Sequence, residues 1–215
     1  MPTFDSDIGP LHYTDQGSGD GVILIHGFAA SAEENWGRSG WVSMLTRAQR
    51  RVVTLDLRGH GQSAKSHDAA DYGVDAFSGD VWRLSRQLDM KKPDLIGFSL
   101  GARIVLDLLA KHPDAFLLGV LCGAGGRWLE PSTRDPNTLP SAFEAEDPNS
   151  ITDEMARRFR QFADAQGQDR IALAAVGRGL AARADKLDRQ SLGAIRNEMF
   201  VAAGRSDELA GDPYG

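Results

Sequence analysis

The sequence is poor in cysteine, in long apolar runs and in excess positive charge. Cys122 is the single cysteine among 215 residues, so an internal disulfide is excluded. The apolar runs, such as Val22–Ile25 and Phe116–Cys122, are too short to cross a bilayer. The formal net charge of −6 argues against a nucleic-acid partner, because phosphate binding needs a basic face.

The N-terminus also lacks the basic and apolar regions of a secretory signal peptide, since it reads MPTFDSDIG. Together these absences predict a cytoplasmic protein with no membrane partner. The length and a hydrophobic content of 41% fit one domain with a substantial core.

The strongest local pattern lies between Pro93 and Pro113. Apolar residues lead into the sequence GFSLG at 97–101, and apolar residues then recur at helical spacing. This predicts a buried strand, a sharp turn carrying Ser99 and an amphipathic helix. Glycine is expected on both sides of Ser99, because a Cβ there would collide with neighbouring backbone. The arrangement matches the nucleophile elbow, G-x-S-x-G, which exposes a serine hydroxyl at the edge of a sheet.

Strands and helices alternate along the chain, which predicts an α/β fold with a mostly parallel sheet flanked by helices. The predicted strands outside the elbow cover residues 10–16, 22–25, 51–56, 116–122 and 199–203. The predicted helices outside the elbow cover 35–49, 74–90, a segment from about 152, and 170–183. No strand pattern appears from 127 to 195, so residues 127–195 are predicted to form a helical lid. The core is assigned to residues 1–126 and 196–215.

Three motifs in this order resemble those of the α/β-hydrolase superfamily, in particular its serine esterase-like members with a short helical lid. They are HGF at 26–28, DLRGHGQS at 56–63 and GFSLG at 97–101, and a looser GRSD follows at 204–207. The resemblance extends from about residue 10 to residue 212. It implies the same fold that the alternation of strands and helices predicts.

The resemblance also implies a role for four residues. Ser99 matches the nucleophile, which needs an adjacent base because a neutral hydroxyl is weakly nucleophilic. Asp207 matches the acid that orients this base. The backbone N–H groups of Phe28 and Leu100 match the donors that stabilise the oxyanion. The implied reaction is hydrolysis of a small acyl ester or related carbonyl compound through an acyl-enzyme, with no cofactor and no metal.

One part of the family pattern is missing. The triad order is Ser, then Asp, then His, but no histidine follows Asp207 and the last one is His112. We therefore expect this chain alone to be inactive or nearly so. Three interpretations remain open: the histidine belongs to a C-terminal segment or second polypeptide, a partner subunit lends it, or the protein is a noncatalytic ligand-binding or interaction protein. The strand near 199–203 is expected to be an exposed apolar edge.

The other candidate residues have structural interpretations. His26 is expected to shape the oxyanion loop and His60 to be a packed turn residue. His12, His67 and His112 are expected at the surface or at helix ends. A metal site built from His26, Asp56 and His60 matches no standard zinc spacing.

The roles of several further side chains are predicted, and some of them have an alternative. Cys122 is expected to be an inert strand residue. Glu130 and Asp135 remain alternatives to Asp207 as the triad acid. Apolar side chains in and near the lid fit either a substrate pocket or core packing; they are Trp128, Phe143, Phe159 and Phe162. Basic side chains in the lid are expected to form a solvated face; they are Arg157, Arg158, Arg160, Arg178 and Arg183.

Overall fold

A computed structural model describes residues 2–130, 134–183, 192–207 and 209–211. The strands within these residues are β1 (Thr3–Ser6), β2 (Gly9–Gln16), β3 (Gly21–Ile25), β4 (Arg51–Leu55), β5 (Asp94–Phe98), β6 (Leu118–Cys122) and β7 (Glu198–Ala202). The α-helices there are α1 (Trp41–Arg47), α2 (Val74–Gln87), α3 (Leu100–Lys111), α4 (Thr138–Glu144), α5 (Glu154–Ala165) and α6 (Arg170–Ala182).

The seven strands form one sheet in the order β1-β2-β4-β3-β5-β6-β7. From β4 to β7 every neighbouring pair is parallel, whereas β2 is antiparallel to both β1 and β4. The prediction of a mostly parallel α/β sheet is therefore confirmed. The sequence pattern missed β1, a four-residue strand at the edge. Because β3 and β5 are neighbours, the loops that follow them meet at one edge of the sheet.

The central strands are buried on both faces, which explains their unbroken apolar sequences. On one face Ile23 and Val53 pack with side chains of α2 and α3. On the other face Val22 and Leu24 pack with Trp36 and with side chains of α1. The alternation of side chains along each strand thus builds two core layers.

Helix α2 confirms the predicted amphipathic helix, although it ends at Gln87 rather than at residue 90. Phe77, Val81 and Leu84 on its apolar stripe have no solvent exposure. Their burial against the sheet fixes the position of α2 beside α3.

Helices α4, α5 and α6 lie between β6 and β7 in the chain, where the sequence predicts the lid, and the described part of this segment has no strand. Aspartates cap α5 and α6, since the carboxylates of Asp153 and Asp169 accept backbone N–H groups of the first turn. The prediction that Arg160 is solvated is wrong. Its side chain is buried and donates to the carbonyl oxygens of Ala142 and Ala145, because these groups at the end of α4 need a donor.

Strand β7 forms the open edge of the sheet beside β6, and all five of its residues are exposed. Phe200 has 59% of its surface exposed. The predicted exposed apolar edge is confirmed. Within the described ranges, none of the helices is long and apolar enough to cross a membrane.

Candidate active site

Ser99 lies at the sharp turn between β5 and α3. Its backbone angles are φ 50° and ψ −111°, in a region that L-residues rarely adopt. The Ser99 N–H donates to the carbonyl of Cys122 on the next strand at 2.8 Å. The Ser99 carbonyl accepts from Ala102 at 2.9 Å and so begins the helix. These hydrogen bonds hold Ser99 in a strained backbone conformation, which places its side chain at the end of the sheet.

The two glycines around Ser99 make this turn possible. A Cβ on Gly97 would lie 2.3 Å from the backbone carbon and oxygen of Gly101. A Cβ on Gly101 would lie 2.1 Å from the carbonyl oxygen of Ile25 on β3. The steric reason predicted from the sequence is confirmed, and Gly101 also lets α3 approach β3.

The loop after β3 is held by His26. Its ring is fully buried; Nδ1–H donates to the Gly27 carbonyl at 2.7 Å, and Nε2 accepts the Leu57 N–H at 2.9 Å. Burial lowers the pKa of His26, against an opposing effect of Asp56. Both ring nitrogens are occupied, so His26 shapes the loop, as predicted, and is not positioned to move protons at Ser99.

Two backbone N–H groups have no acceptor among the described residues: that of Phe28, which lines the same cavity as Ser99, and that of Leu100, which follows Ser99 at the start of α3. The Leu100 N–H belongs to the first turn of a helix, whose N–H groups lack intrahelical partners and carry partial positive charge. Backbone N–H groups without an acceptor are the kind of donor that the sequence predicts at these two positions.

Asp207 follows β7 and lines the same cavity as Ser99. Its Oδ1 accepts the backbone N–H groups of Leu209 and Ala210, each at 3.0 Å. Its Oδ2 lies on the Gly123 side, 3.6 Å from where a Gly123 Cβ would be. One carboxylate oxygen is thus fixed by the turn, and the other has no hydrogen-bond donor among the described residues.

The cavity at this edge of the sheet has a volume of about 190 Å³. Its lining includes the proposed triad residues and apolar side chains from the sheet edge, the lid and the C-terminal turn; they are Phe28, Phe98, Ser99, Phe159, Phe162, Asp207 and Leu209. Glu130 and Asp135, the alternative acids, are not among the residues that line it. Of the apolar residues considered for a pocket, Phe143 is fully buried in a core cluster instead, and Trp128 packs against the main core.

The remaining histidines lie outside this cavity. His60 is fully buried with its Nδ1 2.9 Å from the Arg58 carbonyl, and its ring packs edge-on against His26 and Phe28. Burial lowers the pKa of His60 to about 3. The prediction that His60 is a packed turn residue is confirmed.

His12 does not follow the prediction of a surface position. It is 6% exposed, and its Nδ1 lies 3.4 Å from Oδ2 of the buried Asp56, because β2 pairs with β4 and carries His12 over the end of that strand. His67 is exposed beside Asp169, and His112 follows α3 and stacks on Trp82, both as predicted.

Cys122 is half-buried at the end of β6, and burial raises the pKa of its thiol. A raised pKa keeps the thiol protonated and poorly reactive, in accord with the prediction. Among residues that the structure describes, no group of three or more His, Cys, Asp and Glu side chains has the arrangement to hold a metal ion.

Sequence patterns missed two polar residues at this edge. Asn35 lines the cavity, and its Oδ1 accepts the Gly27 N–H at 2.8 Å. Gln168, in the connection between α5 and α6, accepts the Gly61 N–H at 2.9 Å and donates to the Ala30 carbonyl at 3.1 Å. Neither residue belongs to a motif, and only the polarity of Asn35 next to the apolar Trp36 offers a local signal.

Comparison with known proteins identifies the class. A sequence profile for the alpha/beta hydrolase fold matches residues 21–174, which is well over half of the chain. The chain belongs to the alpha/beta hydrolase family. The seven-stranded sheet and its flanking helices agree with that assignment.

The alignments with two curated relatives cover only part of this chain and less than half of each relative. A putative non-heme chloroperoxidase of Synechocystis sp. is 36% identical over 102 residues, 47% of this chain and 35% of that protein. The dihydrolipoyllysine-residue acetyltransferase component of an acetoin cleaving system from Pseudomonas putida is 30% identical over 162 residues, 70% of this chain and 42% of that protein. The chain therefore spans less than half the length of these curated relatives.

Solved structures share the fold at low identity. The enol-lactonase from Burkholderia xenovorans LB400 superposes with a TM-score of 0.79 at 21% identity, over 99% of this chain and 84% of that one. The bromoperoxidase from Bacillus anthracis gives 0.73 at 24% identity, over 94% and 80% of the two chains. Their names differ in chemistry, so the likeness concerns the fold and does not select a reaction.

Proposed function

We propose that this chain carries the nucleophile, the acid and the oxyanion donors of a serine hydrolase, which cleaves a small acyl ester or related carbonyl compound through an acyl-enzyme. Ser99 attacks the carbonyl carbon, and a histidine outside these residues takes the hydroxyl proton. Asp207 orients that histidine, and the Phe28 and Leu100 N–H groups stabilise the oxyanion. The histidine then donates the proton to the leaving alcohol, and water hydrolyses the acyl-enzyme.

The observation that carries this proposal is the single cavity that Ser99, Phe28 and Asp207 share. The strained backbone of Ser99 supports it, because such conformations persist where function requires them. Oδ2 of Asp207 has no donor among the described residues, and this supports the proposal as well, since an imidazole Nδ1–H would be its natural donor.

A noncatalytic ligand-binding role is the second candidate. It is favoured by one observation: none of the five histidines is among the residues that line the cavity. In that case the cavity binds a small molecule and Ser99 serves only as a polar contact.

Exogenous imidazole distinguishes the two functions, because it supplies a base to a cavity whose lining includes none of the five histidines. We expect hydrolysis of p-nitrophenyl acetate to be barely above background without imidazole. With imidazole, the rate should rise above the rate of imidazole alone, and Ser99→Ala should abolish the excess. Asp207→Asn should lower the excess, whereas Asp114→Asn at an exposed position should not. Equal rates for wild type and Ser99→Ala at every imidazole concentration would contradict the hydrolase and support the binding protein.

A further inference from the structure

A π-helical turn, Glu33–Gly37, precedes α1 beside the candidate active site. The Arg38 N–H donates to the Glu33 carbonyl at 2.8 Å, five residues back. Such turns accommodate an extra residue in a helix and are frequent at functional sites. Adjacent residues on a helix point in different directions, and two residues of this turn have different surroundings. Trp36 is 3% exposed and packs under the sheet, whereas Asn35 lines the cavity.

The hydrogen bond from Gly27 fixes which end of the Asn35 carboxamide meets a ligand. The Gly27 N–H can only donate, so the group 2.8 Å from it must be the Asn35 carbonyl oxygen Oδ1. The amino group Nδ2 therefore points away from Gly27. No acceptor for it is found in the part of the chain that the structure describes.

The other residues that line the cavity indicate the kind of ligand to which the Asn35 amino group would donate. Four phenylalanine rings make the cavity mainly apolar, with Asn35 and Ser99 as its neutral polar side chains. Among the described residues, Asp207 is the one charged residue of the lining, and no Lys or Arg from that part of the chain belongs to it. A neutral ligand fits this surface better than an anion, which would meet the Asp207 carboxylate without a compensating cation.

Asn35 and Ser99 line the same cavity, so one small molecule bound there can contact both side chains. The cavity volume of about 190 Å³ limits such a ligand to a small molecule.

We propose that Asn35 is a specificity-determining residue, whose Nδ2–H donates to a second oxygen of a neutral acyl substrate, close to the reacting carbonyl. Alkoxyacyl esters and lactones with a ring substituent oxygen belong to this class. The proposal rests on the proposed hydrolase function only in treating the ligand as a substrate. The preference itself is a property of binding, because a ligand that covers the Asn35 amino group without offering it an acceptor leaves that donor unpaired and binds less tightly.

Binding of ketone pairs tests the role of Asn35 without requiring turnover, because the two members of each pair differ only in an ether oxygen. Methoxyacetone and 2-pentanone differ by one oxygen in place of a methylene, and 4-methoxy-2-butanone and 2-hexanone form a second pair with the oxygen one bond further away. Each is titrated into the ¹⁵N-labelled full chain. The Asn35 side-chain NH₂ signals are identified by their loss in Asn35→Asp. We expect the ether to bind about fivefold more tightly in at least one pair, and to shift these NH₂ signals.

Asn35→Asp is the informative variant, because it keeps an oxygen to accept the Gly27 N–H and replaces the donor by an acceptor. It should fold like the wild type and lose the preference for the ether. Ser99→Ala should retain the preference. Equal affinities within both pairs, or a preference that survives in Asn35→Asp, would overturn the proposal. These outcomes are independent of Ser99 reactivity, so a failed hydrolase proposal and a failed role for Asn35 give different results.

Discussion

At the scale of single residues, Ser99 and its glycines show how a short sequence encodes a strained geometry. The φ of 50° at Ser99 is unfavourable for an L-residue by about 1–3 kcal/mol. The surrounding structure maintains this strained angle, because β3, β5 and α3 pack closely through their backbones at Gly97 and Gly101. The pattern GFSLG therefore predicts the turn, with a local steric reason at Gly97 and a contact to the distant strand β3 at Gly101.

Alanine at either glycine should destabilise the fold. The new Cβ of Gly97→Ala or Gly101→Ala would lie within 2.3 Å of backbone atoms, which cannot move as a side chain can. We expect each change to lower the free energy of unfolding by about 3 kcal/mol, measured by urea denaturation. Gly79→Ala is the matched control, because nothing lies within 4 Å of its Cβ position on α2. It should be neutral or stabilise by up to about 1 kcal/mol, and equal effects at all three positions would contradict the steric account.

The buried ring of His60 predicts an acid-sensitive fold. Its pKa is lowered from about 6.5 to about 3 by burial, with His26 and Lys65 acting in the same direction. As the pH falls below about 6.5, the unfolded chain takes up a proton that the folded protein does not, so stability is lost toward pH 3.

In His60→Gln this contribution should disappear. Between pH 6 and pH 5, the slope of unfolding free energy against pH should become shallower than in the wild type by about 1 kcal/mol per unit. Urea denaturation at several pH values measures it. An unchanged slope would show that His60 is not neutral and buried in the folded state.

At the scale of elements, a few long-range hydrogen bonds join the connection between α5 and α6 to the loops after β3 and β4. Gln168 connects the α5–α6 turn to Gly61 in the loop after β4 and to Ala30 in the loop after β3. Asp56 joins the same two loops through its bonds to Ala32 and Gln62. The α5–α6 connection, in the segment predicted to form a lid, is therefore attached to the loop whose Phe28 N–H is proposed to stabilise the oxyanion.

Removing the Gln168 amide should weaken this attachment. Gln168→Leu leaves the Gly61 N–H and the Ala30 carbonyl without their partner, at a cost of about 1–3 kcal/mol. Urea denaturation measures the loss, and hydrogen exchange should show faster exchange at Gly61. Gln161→Leu, on the exposed face of α5, is the control and should change stability by less than about 0.5 kcal/mol. A loss no larger than that of the control would argue against the bridge.

Strands and helices could be predicted from the sequence more reliably than the long-range contacts between them. Periodicity located the buried strands and α2, because the period of the apolar residues follows from the geometry of each element. The burial of His12 and Arg160 was missed, since their partners lie far away in the chain. The π-helical turn was also missed: the pattern at residues 35–49 predicts one helix, whereas the structure has a turn at Glu33–Gly37 and a separate α1 at Trp41–Arg47.

At the scale of the whole molecule, the sheet has an open apolar edge at β7. The exposed side chains of Met199, Phe200 and Val201 continue onto Leu117 before β6. An unpaired edge strand with apolar side chains favours self-association.

A charge on this strand should reduce such association. We expect wild-type protein to show concentration-dependent light scattering and Phe200→Lys to show much less. Stability should change by less than about 1 kcal/mol, because Phe200 is 59% exposed. Ile171→Lys, at a 42% exposed position on α6, is the control and should scatter like the wild type. Equal scattering from all three proteins would show that β7 is not the associating surface.

The most direct test of the central claim is the site at which a fluorophosphonate reacts in the presence of imidazole. If Ser99 is the nucleophile, its oxygen should displace fluoride from phosphorus while imidazole takes the proton. Peptide mass spectrometry should then locate the phosphonyl group on Ser99, with labelling that increases with imidazole and is lost in Ser99→Ala but not in Ser43→Ala. Labelling that is absent from Ser99, or spread over exposed serines without dependence on imidazole, would contradict the account.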